Sequence, residues 1–537
     1  MSPHLPALHL DEARPATDKR TQRRILVAMI TGLVAVIGAM SGLNVAQQDL
    51  AISLSASQGG VLWIINAYTL ALAALLLPVG AIGDRFGRKT VLLAGLGVFA
   101  LSTVGAIFAT SVAMMITARV LAGVGAAMIM PVTLSIITAS FPTEDRAKAI
   151  GVWAAFAGGG SMISMFVSAF MVDQLTWRWV FALPLVLVAI SAVMTTKFAP
   201  NSRERSVHRF DTMGSVLSAL AIGGVVLGVH EGPEKGWSHP ITVWALVIGA
   251  IAAVAFVIWE RRHQAPLLEI SAFRDRGLSS GMTTLLIVFA VMFGIFLVLY
   301  PFFQAVLGWS ALHAAAGMLP MTAVMMPMSN VAPRLAAKVG SRYTMMAGVG
   351  IFLLGLITMA LQASVEGGYL SVLPGLLLIG LGMGLTMTPA TAAITETLPE
   401  DKQGVASALN DTSRELGGAV GIALLGSVLS AGYRSSVKPL LVGVSPELAK
   451  PAGEGIGKAF GAVAALSKNP DADPKLLQQV PTVISAAKHA FVEGWVQSMW
   501  LGVGLAAVAF VFLTIRGPRH EPVRLPDEPV NDLVAVG

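Results

Sequence analysis

Apolar runs of about twenty residues recur along nearly the whole chain, and they admit one class of structure. An uncharged run of that length crosses the hydrocarbon of a bilayer as a helix, because lipid offers no partner to an unpaired backbone amide. Only 12% of the 537 residues are charged and 55% are hydrophobic, against about 25% charged in soluble proteins. A water-soluble core cannot absorb so much apolar sequence. The 55 glycines suit the close packing of membrane helices.

Fourteen spans are predicted, near 25–46, 61–82, 90–110, 112–137, 149–171, 178–196, 212–229, 241–259, 279–300, 312–333, 344–362, 369–393, 404–431 and 491–515. The first run is too long for the apolar part of a signal peptide, so residues 1–24 read as a polar tail rather than a cleaved leader. An even number of spans returns both termini to one side. Segments on that side carry 25 Lys and Arg, whereas the short loops opposite carry only Arg178 and Lys235. By the positive-inside rule both termini are then cytoplasmic. The long stretch 432–490, Ala-rich and outside the cell in this topology, is exempt from the rule by its length.

Several function classes drop out. There are no cysteines, which removes disulfides, thiolate catalysis and Cys-based metal sites. The net charge of +6 is scattered through loops and forms no patch suited to nucleic acid. No nucleotide-binding motif, metal cluster or nucleophile constellation stands out. An enzyme or a membrane sensor is therefore a remote alternative to a transporter.

The loop Gly80-Ala-Ile-Gly-Asp-Arg-Phe-Gly-Arg-Lys89 packs four charges into residues 84–89, between two apolar runs. It fills every position of G-x-x-x-D-R-x-G-R-[RK] and resembles the loop between helices 2 and 3 of the major facilitator superfamily. The resemblance implies that Gly80, Asp84, Arg85, Gly87, Arg88 and Lys89 form a latch between helix ends on the cytoplasmic side. The plainer alternative is a basic cytoplasmic turn. Pro333-Arg-Leu-Ala-Ala-Lys-Val-Gly-Ser-Arg342 echoes the loop in the second half, with Gly340 matching Gly87.

Further motifs resemble the fourteen-helix drug:proton antiporter branch of that superfamily. The fourth span holds Arg119-Val-Leu-Ala-Gly-Val-Gly125, similar to R-x-x-x-G-x-G, with Ala122 where Gln is common. An intramembrane Arg is costly, and the resemblance ties Arg119 to proton movement; the alternative is an Arg that snorkels at a helix end. In the fifth span Gly151 and Gly160 match the antiporter motif, but Ser164, Met165, Ser168 and Ala169 replace its later Gly and Pro residues. Leu43-Asn-Val-Ala-Gln-Gln-Asp-Leu50 and Trp63-Ile-Ile-Asn66 resemble the ends of helices 1 and 2, yet Ala39 and Asn66 stand at usual acidic positions.

Charge persists in the thirteenth span. At 100° per residue, Asp411, Arg414, Glu415, Gly418 and Gly421 share an arc of about 120°, with leucines and valines opposite. Glu415 sits about 16 Å along this helix. Depth in lipid opposes its charge and Arg414 favours it, a balance in which a proton and a substrate compete for one group. Asp411 can instead brace Arg414 at i, i+3. Proton-coupling candidates are therefore Glu415, Asp411, Arg414 and Arg119.

The resemblance implies an all-α integral membrane fold of two six-helix halves, 25–196 and 279–515, with two additional helices at 212–259 and a cytoplasmic tail at 516–537. It also implies a bacterial-type plasma-membrane efflux transporter that exports amphipathic molecules by proton antiport and acts as a monomer. Its partners would be the substrate, protons and the lipid bilayer, with no cofactor and no metal. A dedicated metabolite or lipid exporter with weak coupling is the alternative, motivated by Ala39, Asn66 and the altered fifth span. Candidates for the substrate cavity are Asn44, Asn66, Trp63, Tyr68, Trp153, Phe156, Tyr300, Phe303, Gln304 and Met321. Soft and aromatic side chains suit a promiscuous lining, although any one of them also suits ordinary helix packing.

Overall fold

The computed structural model describes residues 18–56, 58–202, 210–467 and 473–518; the side chains of Asn44, Gln48, Gln58 and Glu234 fall outside that description. So do most of the two tails and part of the Lys468–Pro474 connection. The described chain forms α1 (Lys19–Ser41), α2 (Gln47–Ser53), α3 (Gln58–Phe86), α4 (Arg88–Ile107), α5 (Val112–Ser140), α6 (Thr143–Gln174), α7 (Ala182–Phe198), α8 (Thr212–Lys235) and α9 (Pro240–Arg262). It continues with α10 (Arg276–Pro301), α11 (Ala311–Val339), α12 (Ser341–Gln362), α13 (Leu373–Thr397), α14 (Gln403–Leu440), α15 (Pro446–Glu454), α16 (Ile456–Ser467) and α17 (Pro474–Arg516). Fourteen of these helices are long and apolar enough to cross a membrane; α2, α15 and α16 are the exceptions.

Helix ends follow local chemistry. Asp18 caps α1 by accepting from the amides of Arg20 and Thr21 at 3.1 and 3.2 Å, so this helix starts before its apolar run. It also stops sooner than hydropathy predicts, at Ser41, and a 3-10 turn over Gly42–Asn44 leads into α2. Asp275 caps α10 through Gly277 and Leu278 at 2.7 and 3.1 Å.

The larger departure concerns 432–490. α14 and α17 contain 38 and 43 residues, about 57 and 65 Å long against roughly 30 Å of hydrocarbon. Much of the predicted outer loop thus continues the two helices, with α15 and α16 between them. Hydropathy marks where a helix leaves lipid, not where it ends. The projecting parts hold each other: the Tyr433 hydroxyl donates to the Ala452 carbonyl at 2.7 Å, and the Ser445 amide to Gln479 Oε1 at 2.8 Å.

Two six-helix sets pack with the same internal pattern. α3 lies on α5 and α4 on α5 and α7; correspondingly, α11 lies on α13 and α12 on α13 and α17. The repeat reaches single residues. Gly87 and Gly340 take φ of 107° and 94° between consecutive helices, a backbone that disfavours any Cβ. Two positions after each glycine, a basic side chain donates to a carbonyl of the last helix of its set: Lys89 to Thr196 at 2.9 Å, and Arg342 to Thr514. The sets meet where α14 packs on α3 and α5, and α6 on α11 and α13. α8 pairs with α9 and lies against both α3 and α14.

Candidate functional site

At the end of the bundle where α1 begins and α17 ends, α3 and α14 close on each other. Gly80 makes this possible: a Cβ there would stand 2.5 Å from the Gly404 carbonyl oxygen and 2.8 Å from Ala408 Cβ. One turn further, Asp84 is 3% exposed and fully engaged. Its Oδ1 accepts from Arg88 Nε and Nη2 at 2.9 and 2.8 Å and from the Gly404 amide at 2.8 Å. Its Oδ2 accepts from the Val405 amide at 3.1 Å. The carboxylate therefore occupies the N-terminus of α14, where free amides and the helix dipole favour a negative charge. Arg88 Nη2 reaches on to the Glu400 carbonyl at 2.9 Å. Thus Asp84 and Arg88, from the first set, bind backbone of the second. Arg85 lies half-buried on the same turn, and Lys89 anchors to α7.

Away from this closed end lies a central cavity of about 400 Å³. Methionines and phenylalanines make up much of its wall, among them Met130, Met162, Met292, Met318, Phe289 and Phe293. Polar groups enter from seven helices: Ser41 of α1, Gln47 of α2, Asn66 and Thr69 of α3, Ser161 of α6, His230 of α8, Tyr300 of α10, and Arg414 and Glu415 of α14.

α14 arranges its charges in order of depth. Asp411 is fully buried away from the cavity, 3.6 Å from Arg414 Nη1, and its Oδ1 accepts from Asn410 Nδ2 at 3.1 Å. Arg414 Nη2 crosses between the sets to donate to the Ala157 carbonyl at 2.7 Å. The guanidinium lies 4.6 Å from the Phe289 ring centroid and 5.6 Å from that of Trp153, so aromatic faces as well as Asp411 offset its burial. Glu415, one turn on from Asp411, lines the cavity together with Arg414.

Arg119 is 1% exposed and has no carboxylate partner among the described residues. It donates to the Ala39 carbonyl at 3.1 Å and the Ile64 carbonyl at 3.2 Å, and lies 4.2 Å from the Tyr68 ring centroid. Carbonyl dipoles and a π face thus hold the cation, one of them at the very residue where a carboxylate was sought. Tyr68 is committed to this arrangement, its hydroxyl donating to the Val36 carbonyl at 2.8 Å.

Of the cavity candidates read from sequence, Asn66 and Tyr300 line the space. Trp153 is fully buried with its indole N–H on Thr133 at 3.2 Å, and acts on the cavity through Arg414. Phe303 stacks on Trp309 at 5.2 Å outside the cavity, Gln304 is exposed, and Met321 is buried one turn from the lining Met318. Trp63 and Phe156 are half-buried off the lining, and Asn44 closes the 3-10 turn, its side chain outside the described set. Sequence reasoning missed His230 and Gln47. A histidine directly after the predicted span 212–229 was the available signal for the former.

The sequence model of the Major Facilitator Superfamily matches residues 27–422. The chain is 30% identical over 429 residues to the multidrug resistance protein Stp of Mycobacterium tuberculosis (strain CDC 1551 / Oshkosh), covering 80% of each. It is 29% identical over 510 residues to the multidrug efflux pump LfrA of Mycolicibacterium smegmatis, covering 94% of this chain and 99% of that one. Among solved structures, the proton:xylose symporter XylE superposes with a TM-score of 0.58 at 13% identity, covering 93% of this chain and 96% of that one.

Proposed function

The chain belongs to the major facilitator superfamily, and on that footing we propose that it exports amphipathic drug-like molecules from the cell by alternating access, driven by proton entry. The observation that carries the reading is the cavity itself. A soft, aromatic space holds one carboxylate, Glu415, and is sealed at one end by contacts between the two halves. Breaking Asp84's contacts with α14 would open that end, and closing the other would complete the cycle. The relatives' names, a multidrug resistance protein and a multidrug efflux pump, support export of such compounds. The relevant membrane is the bacterial inner membrane, with the sealed end cytoplasmic. The six-helix halves 25–196 and 279–515 are the moving bodies, 212–259 lies between them, and the unit is a monomer.

Glu415 is the proton-carrying residue in this reading, and Asp411 a brace that keeps Arg414 in place. One proton crossing 100 mV supplies about 2.3 kcal/mol, enough for roughly fifty-fold accumulation of a neutral substrate exchanged one for one. The test is a pair of assays in the same vesicles. Glu415→Gln is expected to abolish pH-driven accumulation and to spare exchange between equal pools. Full pH-driven transport by this variant sinks the assignment. A second reading, an exporter without tight coupling, is favoured by Arg119, which is held by carbonyls where relatives of this branch place an acid. Flux indifferent to an imposed pH gradient would select it.

A further inference from the structure

One residue of the cavity lining, His230, comes from a helix that a twelve-helix scaffold does not possess. α8 occupies the cleft between the halves: Val226 packs with Ala73 of α3 and Ala419 of α14 in one buried cluster, flanked by Leu70, Ile222, Val229 and Leu416. At 100° per residue, positions 222, 226, 229 and 230 fall on one face. The face that docks α8 therefore also carries His230 into the cavity, where Asn66 of α3 and Glu415 of α14 are fellow lining residues.

His230 is not spent on structure. Its imidazole makes no hydrogen bond among the described residues, although buried polar groups ordinarily find partners. The adjacent Glu231 is instead paired with Lys235 on its own helix at 2.6 Å. A neutral imidazole offers one donor and one acceptor. In a cavity also lined by Met292, Phe293 and Tyr300, it suits a ligand whose aromatic body rests on those side chains and whose polar edge needs a hydrogen bond.

We propose that His230 is a substrate-recognition residue supplied by the additional helix pair, and that it selects aromatic amphiphiles bearing a hydrogen-bonding amine over amphiphiles that lack one. The inference rests on the efflux reading for its setting, since the cavity is taken to be the substrate site.

Two aromatic cations separate the possibilities: ethidium, with free amino groups, and tetraphenylphosphonium, with no hydrogen-bonding group. Binding is measured by fluorescence or competition on the full-length protein in lipid nanodiscs, and flux in proteoliposomes. His230→Ala is expected to weaken ethidium binding about fivefold, the worth of one net hydrogen bond, and to leave tetraphenylphosphonium within about twofold. His230→Gln, which keeps a donor and an acceptor, should restore most of the ethidium affinity. Leu220→Ala, on the exposed side of α8, should change neither. Because the chain has no cysteine, His230→Cys adds a direct probe: a polar thiol reagent should modify it, more slowly with ethidium present. Equal weakening of both ligands would reduce His230 to a packing residue and overturn the proposal, as would no change in either. No ethidium binding to the wild-type protein overturns it outright. Ethidium binding that depends on His230, without flux in the wild type, would overturn the efflux reading and leave this inference standing.

Discussion

Asp84→Asn tests whether the sealed end of the bundle is an energetic device or merely a place where helices touch. Asparagine keeps the shape of the side chain and one acceptor oxygen. Its amide nitrogen, however, would face the Val405 N–H, a donor against a donor, where the carboxylate now accepts at 3.1 Å. Arg88 would lose the counter-charge it holds through two bonds of 2.9 and 2.8 Å and keep its bond to the Glu400 carbonyl. Removing one partner of a buried ion pair costs about 3–5 kcal/mol, and the surviving Glu400 bond places this case near the lower figure. About 3 kcal/mol is roughly a 150-fold shift, so a closed arrangement favoured by about 100:1 would fall to near parity. Spin labels on Glu144→Cys and Lys338→Cys, exposed positions on α6 and α11, report the separation of the halves at this end. A second, longer distance population of comparable size is expected in Asp84→Asn. Adding Arg88→Gln should change it further only by the lost Glu400 bond, because the Asp84–Arg88 pair is already broken. A single unchanged distance in monodisperse Asp84→Asn protein would refute the argument.

Gly80→Val should push the same label distance outward, because its Cβ would meet the Gly404 carbonyl, which as backbone cannot yield; overpacking of this kind costs about 1–3 kcal/mol. An unchanged distance there would show that the crossing has slack. Asp411→Asn should lower the thermal midpoint, costing about 3 kcal/mol from the broken pair with Arg414, yet leave pH-driven accumulation measurable; complete loss of accumulation would promote Asp411 from brace to coupling residue. Ser467→Cys should react with an impermeant thiol reagent in intact cells and Ser202→Cys should not, and the reverse pattern would invert the proposed orientation.

What could be read from the chain divides along physical lines. Fourteen spans were legible because lipid imposes a length and a polarity on each, independent of its neighbours. The charged turn at 84–89 was legible because it stands out between two spans, and its reading as a latch came by resemblance; that Asp84 caps α14, 320 residues away, was not legible at all. Glu415 could be found because an ionisable group inside a membrane needs a reason; Asn66 stood out by resemblance and Tyr300 as one aromatic among several. The large apolar candidates fared differently. Trp153, Tyr68 and Phe303 belong to packing rather than to the lining, since a helix apolar on all sides does not declare which face turns inward. His230 escaped because its helix was read as an addition to the scaffold, and only the packing of α8 against α3 and α14 gives it a place in the cavity.

The helices that join the two halves are also the ones least covered by protein. In their most apolar stretches only 28% and 22% of the residues of α8 and α9 are buried, fewer than in any other described span, so these helices are the most open to acyl chains. Their apolar runs, 212–229 and 241–259, measure about 27 and 29 Å, close to roughly 30 Å of hydrocarbon. A bilayer thinner than such a run tilts the helix. Tilting α8 displaces Val226 against Ala73 and Ala419 and carries His230 with it. Membrane thickness is thereby a mechanical input to the cavity wall. Reconstitution in lipids of one headgroup and graded acyl length should change ligand affinity with thickness, giving the protein a response to its membrane that requires no soluble regulatory domain.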